Sequence, residues 1–363
     1  MKNKRLLEIF LELAHIDSIS GNEKGVSLYI QNFLTNLGLA PYTDNSEQKT
    51  GSNTGNVICK INGGGDFLLS SHMDTARSTA GLKPQFLEDR ITSDGTTVLG
   101  VDNRAGIAVI LCATEYIIKN KIDSQPYTIV FPVCEETTLF GSRYMEIDRE
   151  IKMGFVFDSY MRTGKFIASS YGAAGYKVII KGKASHSGIA PEAGINAISI
   201  AVKALSNIKI GRIDENTNAN VGLLKGGTAV NVVPDYVEIE GEVRSVYKEK
   251  VLEIIEETKE QFVKAAEEFG GNVEFVWVWD FMPFKLKEDS PVFQKVKDVI
   301  TKSGLTPEEK LSAGGSDANS YNGNGIEAVN LGIGAQNPHS NDEFILYEDF
   351  ENAFKIAIEL IKK

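Results

Sequence analysis

Two histidines in acidic surroundings, His72 and His339, lie near opposite ends of a chain that contains only four histidines. Carboxylates also follow apolar segments at three places between them: Asp102, Glu135-Glu136 and Asp158. Histidine and carboxylate ligands without cysteine suit zinc, cobalt or manganese. The sequence therefore predicts a metal site that folding assembles from distant parts of the chain.

The pair Glu135-Glu136 directly follows a largely apolar run, residues 127–134. Two adjacent carboxylates at the end of a buried strand repel each other and lose hydration unless cations lie beside them. One of the two could bind metal while the other stays free as a base. A solvated surface pair is the alternative reading, and the apolar run argues against it.

His72 and Asp74 are two residues apart at the end of a predicted strand, so both side chains should leave the same face. One of them can bind metal while the other orients it, because metal-bound imidazoles usually donate their second N–H to a carboxylate.

Charge balance predicts two divalent ions. Three ligating carboxylates and one bridging hydroxide would neutralise them, and Asp102, Glu136 and Asp158 supply that number. With one imidazole for each ion, from His72 and His339, and with Asp102 shared, each ion would keep a position for water. Catalytic metal sites require such an open position.

The candidate ligands follow a β-α-β succession. Predicted strands over residues 66–71, 127–134 and 154–157 each end at a candidate ligand, and a helix is predicted over residues 104–120. Open α/β sheets bind ligands where their strands end. Earlier in the chain, Ser20-Gly21-Asn22-Glu23 matches a capping box that would begin a helix.

The pattern changes after residue 175 to the order β-α-β-β-α-β, which is typical of a ferredoxin-like domain. The predicted division is a catalytic domain over residues 1–174 and 284–363 with a domain inserted over 175–283. The inserted elements are strand 176–181, helix 196–208, strands 219–224 and 236–244, helix 249–269 and strand 272–279.

Composition narrows the class of protein. The 363 residues are 42% hydrophobic and 24% charged, as in globular enzymes, and the formal charge of −11 disfavours nucleic acid as a partner. No apolar stretch approaches the roughly 18 residues of a membrane span, so we expect no membrane partner and a cytoplasmic location. The three cysteines, an odd number in apolar contexts, are expected to be buried reduced thiols.

Six motifs, in this order and spacing, resemble those of the co-catalytic di-zinc exopeptidases, a family that includes aminoacylases, glutamate carboxypeptidases and peptidase T. Residues 330–334 before His339, and the chain length, look most similar to the peptidase T branch, the tripeptide aminopeptidases. The motifs are Ser71-His72-Met73-Asp74-Thr75, Gly100-Val101-Asp102-Asn103-Arg104-Ala105-Gly106, Cys134-Glu135-Glu136-Thr137, Phe157-Asp158-Ser159, Ala184-Ser185-His186-Ser187-Gly188 and Asn337-Pro338-His339-Ser340.

The resemblance implies an α/β fold in which a mixed-sheet catalytic domain carries an inserted ferredoxin-like α+β domain for dimerisation, acting as a lid. It implies two zinc ions, with cobalt or manganese possible. In that family the residue matching Asp102 bridges the metals, and Glu135 matches the general base. The matches of the remaining ligands are His72 and Asp158 on one ion, and Glu136 and His339 on the other.

Two further features follow from the resemblance. The family often has a second acidic residue after the bridging Asp, where this chain has Asn103, which is not a ligand position. The peptide bond at that place is commonly cis.

Three residues of the inserted domain acquire roles only through the resemblance. His186 would stabilise the oxyanion in the active site of the neighbouring subunit, so a homodimer through the inserted domain is expected. Asn231 and Arg244 would help to hold the substrate. Read without the family, Asn231 is a turn residue and Arg244 a solvated strand end.

The predicted activity is metal-dependent hydrolysis of an amide bond in a small peptide, with release of the N-terminal residue of a tripeptide. An N-acyl-amino-acid deacylase or a carboxypeptidase is the alternative with the same chemistry. A non-catalytic metal-binding or scaffold protein is the alternative of another class. Glu135 disfavours that last reading, because a base that binds no metal has no purpose in a mere binder.

Overall fold

The computed structural model describes residues 3–146 and 148–363. The chain forms two compact units, one over residues 1–169 and 284–363 and the other over residues 170–283. Its helices, in chain order, are α1 (Lys4–Ala14), α2 (Lys24–Asn36), α3 (Glu47–Thr50), α4 (Val101–Lys119), α5 (Phe140–Arg143), α6 (Ala197–Leu205), α7 (Lys248–Phe269), α8 (Pro291–Lys302), α9 (Asp317–Gly323) and α10 (Tyr347–Ile361).

A short 3-10 helix, Pro191–Ala193, precedes α6. The strands, in chain order, are β1 (Tyr42–Thr43), β2 (Val57–Ile61), β3 (Phe67–Ser70), β4 (Pro84–Phe86), β5 (Arg90–Ser93), β6 (Tyr127–Phe131), β7 (Met153–Ser159), β8 (Lys165–Ser170), β9 (Gly172–Lys181), β10 (Gly211–Asp214), β11 (Thr217–Gly226), β12 (Tyr236–Ser245), β13 (Asn272–Phe281), β14 (Phe284–Lys285), β15 (Glu308–Ser312), β16 (Glu327–Gly332), β17 (Ala335–Gln336) and β18 (Phe344–Leu346).

The first unit is built on a mixed sheet with the strand order β1-β2-β6-β3-β7-β16-β8-β14, and β15 pairs with β8. Its central strands β6, β3, β7 and β16 are parallel, whereas β2 and β8 join them antiparallel. Nearly every residue of the central strands is buried, which explains their continuous apolar sequences. A smaller antiparallel sheet has the order β17-β18-β5-β4.

Helix α4 lies in the core of this unit, with contacts to α1, α10 and β7. It is buried along most of its length, whereas α1 buries one face through Leu6, Ile9, Phe10 and Leu13. These four residues recur at helical spacing, so a single stripe meets the core. Full burial of each such side chain contributes about 1.5–3 kcal/mol.

The second unit is an antiparallel sheet with the order β10-β11-β12-β9-β13, and helices α6 and α7 pack on it. Without β10, its elements follow the β-α-β-β-α-β order expected of a ferredoxin-like domain. The sequence prediction missed β10, because this strand is mostly exposed and has no apolar alternation.

Two expectations need correction. The first division was predicted at residue 175, which lies within β9, so the strand begins the second unit earlier than the sequence suggested. The capping box was wrong: α2 begins at Lys24 with no side-chain cap. The Glu23 carboxylate accepts hydrogen bonds from the backbone of Gly21 and Cys134 instead. Within the described residues, no helix is both long and apolar enough to cross a membrane.

Candidate active site

Parallel strands of the first unit bring the candidate ligands to one edge of the sheet. His72 follows the end of β3, Glu135 and Glu136 come after β6, and Asp158 is near the end of β7. Because these strands are neighbours and parallel, their carboxyl ends meet at the same edge. Residues far apart in the sequence thus become adjacent through the strand order.

Asp102 lies between the two histidines, and each of its oxygens faces a different ring. Asp102 Oδ1 is 3.1 Å from His72 Nε2, and Asp102 Oδ2 is 3.3 Å from His339 Nε2. A carboxylate that presents one oxygen to each of two imidazoles has the arrangement of a bridging ligand. The position of Asp102 between the two imidazoles is compatible with the predicted shared ligand.

A second carboxylate accompanies each imidazole. Asp158 Oδ1 is 3.3 Å from His72 Nε2, and Glu136 Oε1 is 3.0 Å from His339 Nε2. Zinc ligands at about 2.0–2.2 Å in a tetrahedral arrangement lie roughly 3.3–3.6 Å from one another. The donor atoms of these residues are therefore spaced nearly as ligands of a common ion are, and the residues fit a metal.

Among the described residues, two overlapping groups of donor atoms lie close enough together to hold an ion, with all ligand atoms of a group within 4.8 Å of one another. The groups are His72 with Asp102 and Glu136, and His72 with Glu135 and Asp158.

The buried carboxylates of the cluster would be stabilised by nearby cations. Burial raises the pKa of Glu135 well above its usual range, and the nearby charges of Asp158 and Glu136 raise it further. Burial also raises the pKa of Glu136 and of Asp158. Hydrogen bonds to Asp102 and Glu136 raise the pKa of His339 to about 10. In the absence of metal, protons take the place of the missing positive charge.

Asp74 orients the cluster rather than joining it. Its Oδ1 is 3.3 Å from His72 Nδ1, on the side of the ring opposite the metal-facing nitrogen. The same carboxylate accepts hydrogen bonds from the backbone N–H groups of Glu135 and Glu136, at 3.0 and 3.1 Å. Ser20 Oγ donates a fourth contact at 2.6 Å. Asp74 thereby fixes one imidazole and the acidic pair together.

Close packing fixes the turn that presents Asp102. A Cβ on Gly106 would lie 2.1 Å from the carbonyl oxygen of Phe157, so only glycine lets α4 approach β7 this closely. The peptide bond between Asp102 and Asn103 is cis, as the family resemblance implied. The Asn103 side chain donates to Asp158 Oδ1 at 3.0 Å, which supports a ligand without acting as one.

Sequence reasoning missed Glu343, which lies four positions after His339. This buried carboxylate accepts the backbone N–H of Gly100 at 2.7 Å and that of Asp102 at 2.9 Å. Burial raises its pKa to about 7. No periodicity marks Glu343, since it lies in a loop before β18, and only its closeness to a candidate ligand could have drawn attention to it.

Asp317 is a further buried acidic residue, and it lies outside the six motifs. It begins α9, is fully buried, and neither carboxylate oxygen has a hydrogen-bond partner among the described residues. Burial raises its pKa to about 7, and the neighbouring charge of Asp158 adds to that rise. Arg104, also fully buried, donates to the carbonyl oxygen of Met73 beneath the cluster.

A cavity of about 280 Å³ opens over the cluster within the first unit. It is lined by the candidate ligands Asp102, Glu136, Asp158 and His339, by Glu135, and by the glycine-rich residues 312–315. Its size suits a small substrate rather than a folded protein.

Two of the three inserted-domain residues lie together in the second unit. His186 forms an isolated antiparallel bridge with Val232, and the Ser187 N–H donates to the carbonyl oxygen of Asn231 at 3.0 Å. Both His186 and Asn231 are exposed. We call this pair the distal loop pair.

Arg244 lies at the other end of the same sheet. It pairs in register with Ala173 on β9, whereas the distal loop pair lies beyond Lys181, at the far end of that strand. At about 3.3 Å per strand residue, the separation along β9 is roughly 25–30 Å. The Arg244 guanidinium forms an ion pair with Glu242 at 3.0 Å. The structure therefore does not bring all three residues together.

Comparison with known proteins places this architecture. Residues 168–270 match the model of a peptidase dimerisation domain. The structure of aminopeptidase PepT from Bacillus cereus is 34% identical, with a TM-score of 0.90 over 98% of this chain and 97% of that one. The chain belongs to the M20 peptidases, in the peptidase T branch. The prediction of the family and of its fold is thereby confirmed.

Two further relatives extend the likeness over the whole chain. A tripeptidase from Staphylococcus aureus is 31% identical, with a TM-score of 0.92 over 99% of this chain and 97% of that one. The uncharacterised protein YqjE of Bacillus subtilis is 34% identical over 100% of this chain and 99% of its own length. The M20 likeness therefore extends well beyond the matched dimerisation domain.

Proposed function

We propose that this M20 peptidase hydrolyses the first peptide bond of short peptides, with tripeptides as the preferred substrates. The observation that carries the proposal is Glu135: it lies 4.0 Å from His72 Nε2 beside the ligand cluster while Asp102, Asp158 and Glu136 take the closer ligand positions. Relatives named as an aminopeptidase and a tripeptidase support the substrate class.

The metal centre would be held by His72, Asp102 and Asp158 on one side, and by Asp102, Glu136 and His339 on the other. Two divalent ions bound there, zinc by preference and cobalt or manganese as alternatives, would polarise the scissile carbonyl and lower the pKa of water.

Glu135 acts as the general base and then as the general acid. It takes a proton from the attacking water and returns it to the nitrogen of the leaving amine. Burial raises the pKa of Glu135 well above its usual range, as environments that exclude water do for catalytic carboxyl groups. The backbone N–H of Glu135 donates to Asp74, which also contacts His72, so the position of the base is fixed relative to that imidazole.

We further propose that His186 and Asn231 act on the active site of a partner subunit, and that Arg244 helps to hold the substrate. Arg244 pairs with Ala173, close to where the chain enters the second unit at Ser170 and leaves it at Pro283. His186 and Asn231 lie at the distant end of the sheet. A homodimer through residues 168–270, the part matched by the dimerisation model, would let His186 and Asn231 reach the active site of the partner subunit.

A cytoplasmic location agrees with three buried free thiols.

The test is a substrate panel with the metal controlled. Free tripeptides, dipeptides, N-acetylated tripeptides and N-acyl amino acids are incubated with chelated enzyme and with enzyme reloaded with zinc, cobalt or manganese. We expect release of the free N-terminal residue from tripeptides, lost on chelation and restored by metal. Preference for blocked substrates would instead support the deacylase, and release of the C-terminal residue the carboxypeptidase. Full activity in chelated protein that holds less than one divalent ion would refute the metal mechanism.

A further inference from the structure

A second and larger cavity, of about 710 Å³, lies beside the metal cluster within the first unit. Its walls are the turn of residues 76–78 after β3, residues 96–98, Ser20, Thr137 and Asn341. A volume of this size accommodates a small ligand. The roles assigned above leave this cavity unused.

Two hydrogen bonds and one adjacency in the chain connect this cavity with the cluster. Ser20 Oγ donates to Asp74 Oδ2 at 2.6 Å, and Thr137 directly follows Glu136 in the chain. Arg77 Nη1 donates to the carbonyl oxygen of His339 at 3.4 Å. The guanidinium of Arg77 thus contacts the backbone of a cluster residue, His339.

The charge of the cavity is unlike that of the chain as a whole. Arg77 is its one charged lining residue among those described, in a protein with a net charge of −11. Within residues 3–146 and 148–363, no carboxylate lies within 4.0 Å of the Arg77 guanidinium as an ion-pair partner. The hydroxyl groups of Ser78, Thr96 and Thr137 also line it, together with apolar residues. A lining with one cation and no carboxylate favours an anionic group over an ammonium group.

Chain length selects the anion. A peptide spans about 3.3–3.6 Å per residue, so the carboxylate of a tripeptide cleaved at its first bond lies roughly 7 Å beyond the reacting carbon. His339 faces the cluster with its imidazole and contacts the Arg77 guanidinium through its backbone carbonyl, so a single residue spans from the cluster to Arg77. Guanidinium groups bind carboxylates through two parallel hydrogen bonds, which fix both position and direction.

We propose that Arg77 binds the C-terminal carboxylate of the peptide substrate and so makes this cavity the determinant of substrate length. The inference rests on the proposed peptidase function for the identity of the ligand. It adds a specificity residue in the first unit, separate from Arg244 in the second.

Binding tests the proposal without turnover. The Glu135→Gln chain, loaded with zinc, is titrated calorimetrically with trialanine and with trialanine C-terminal amide, with and without an added Arg77→Met change. We expect Arg77→Met to weaken binding of the acid by roughly 10- to 100-fold and to change binding of the amide less than about threefold. Arg77→Lys should recover part of the affinity for the acid. Arg149→Met, at an exposed site of the same unit, is the matched control.

Activity measurements separate this proposal from the one above. In the otherwise native enzyme, Arg77→Met should raise KM for trialanine and reduce its preference over tetraalanine, with little change in kcat. Equal losses for acid and amide, or no loss for the acid, would overturn the role of Arg77. If the native enzyme cleaves no peptide but its binding still discriminates acid from amide through Arg77, the proposed function fails and the carboxylate site stands. Melting temperature and metal content identify any variant that has merely misfolded.

Discussion

The metal edge of the first unit and the distal loop pair of the second unit are built in opposite ways. At the metal edge, Asp74 alone joins His72, two backbone N–H groups and Ser20, and the side chains are mostly buried. His186 and Asn231 are exposed and are held by backbone pairing. The hydrogen bonds within one chain preorganise the first region. The second region instead presents its polar side chains to the surroundings.

This contrast indicates which region supplies the chemistry and which completes it. A buried carboxylate cluster is costly unless cations occupy it, so its retention in the fold points to bound metal. An exposed histidine pays no desolvation free energy. It can act on a substrate only where another protein surface brings that substrate close. The predictions below test this division, beginning with the largest expected effect.

Replacing Glu135 by Gln should lower kcat by roughly 10²- to 10⁴-fold while both metal ions remain bound, because the base is lost and no ligand is. Metal analysis and steady-state kinetics on trialanine measure the two effects. Asp102→Asn is the contrasting variant, since it should lose metal and activity together. Near-native turnover in the Glu135→Gln chain would remove Glu135 from the mechanism.

Replacing His186 by Ala should lower kcat by about 10²-fold, the usual cost of one oxyanion donor, with no change in metal content. Mixing this chain with the Glu135→Gln chain should restore part of the activity, because one site of the heterodimer then receives Glu135 from one subunit and His186 from the other. If subunit exchange is demonstrated and the mixture stays inactive, His186 does not act on its partner.

Replacing Glu343 by Gln should weaken metal binding by about 10- to 100-fold, the typical effect of losing a partner that orients a ligand. The carboxylate holds the N–H groups of Gly100 and Asp102, and an amide can accept only through its single carbonyl oxygen. Competition with a chelator measures the affinity, and the exposed Glu288→Gln serves as the control. An unchanged affinity would mean that the turn before α4 holds Asp102 without Glu343.

The clustering of the candidate ligands was predictable from sequence because each of them follows a strand or turn whose apolar pattern or glycines are distinctive. Helix α7 was predicted over residues 249–269, within one residue of its observed bounds, because it has a strong apolar stripe. The roles of Glu23 and Glu343 were not predicted, because each carboxylate accepts hydrogen bonds from backbone N–H groups that are distant in the sequence. Local patterns carry no information about such partners. The capping-box prediction for Ser20 and Glu23 failed because both side chains form tertiary hydrogen bonds instead, Ser20 with Asp74 and Glu23 with the backbone of Cys134.

The smallest expected effect concerns pH and separates the metal-free protein from the loaded one. Burial raises the pKa of Asp317 and of Glu343 to about 7, and hydrogen bonds to Asp102 and Glu136 raise that of His339 to about 10. A group whose pKa is higher in the folded state stabilises the fold below its unfolded value, and this contribution is lost as the pH rises. Through Asp317 and Glu343, the metal-free protein should therefore lose roughly 2–4 kcal/mol of stability between about pH 4 and pH 7. The contribution of His339 is lost at higher pH, as the pH rises from its usual pKa towards about 10.

The metal-loaded protein should show the opposite slope, because protons compete with metal for the same carboxylates and imidazoles. Thermal melting from pH 4 to pH 8, with chelator and with zinc, tests both slopes. Asp317→Asn should flatten the metal-free curve, since one buried group whose ionisation is costly is gone and no candidate ligand is removed. Parallel curves with and without metal would show that these buried groups are not coupled to the metal site. The contrast between a preorganised metal edge and an exposed distal loop pair would then lose its electrostatic basis, because the cluster would be stable without the cations it is built to hold.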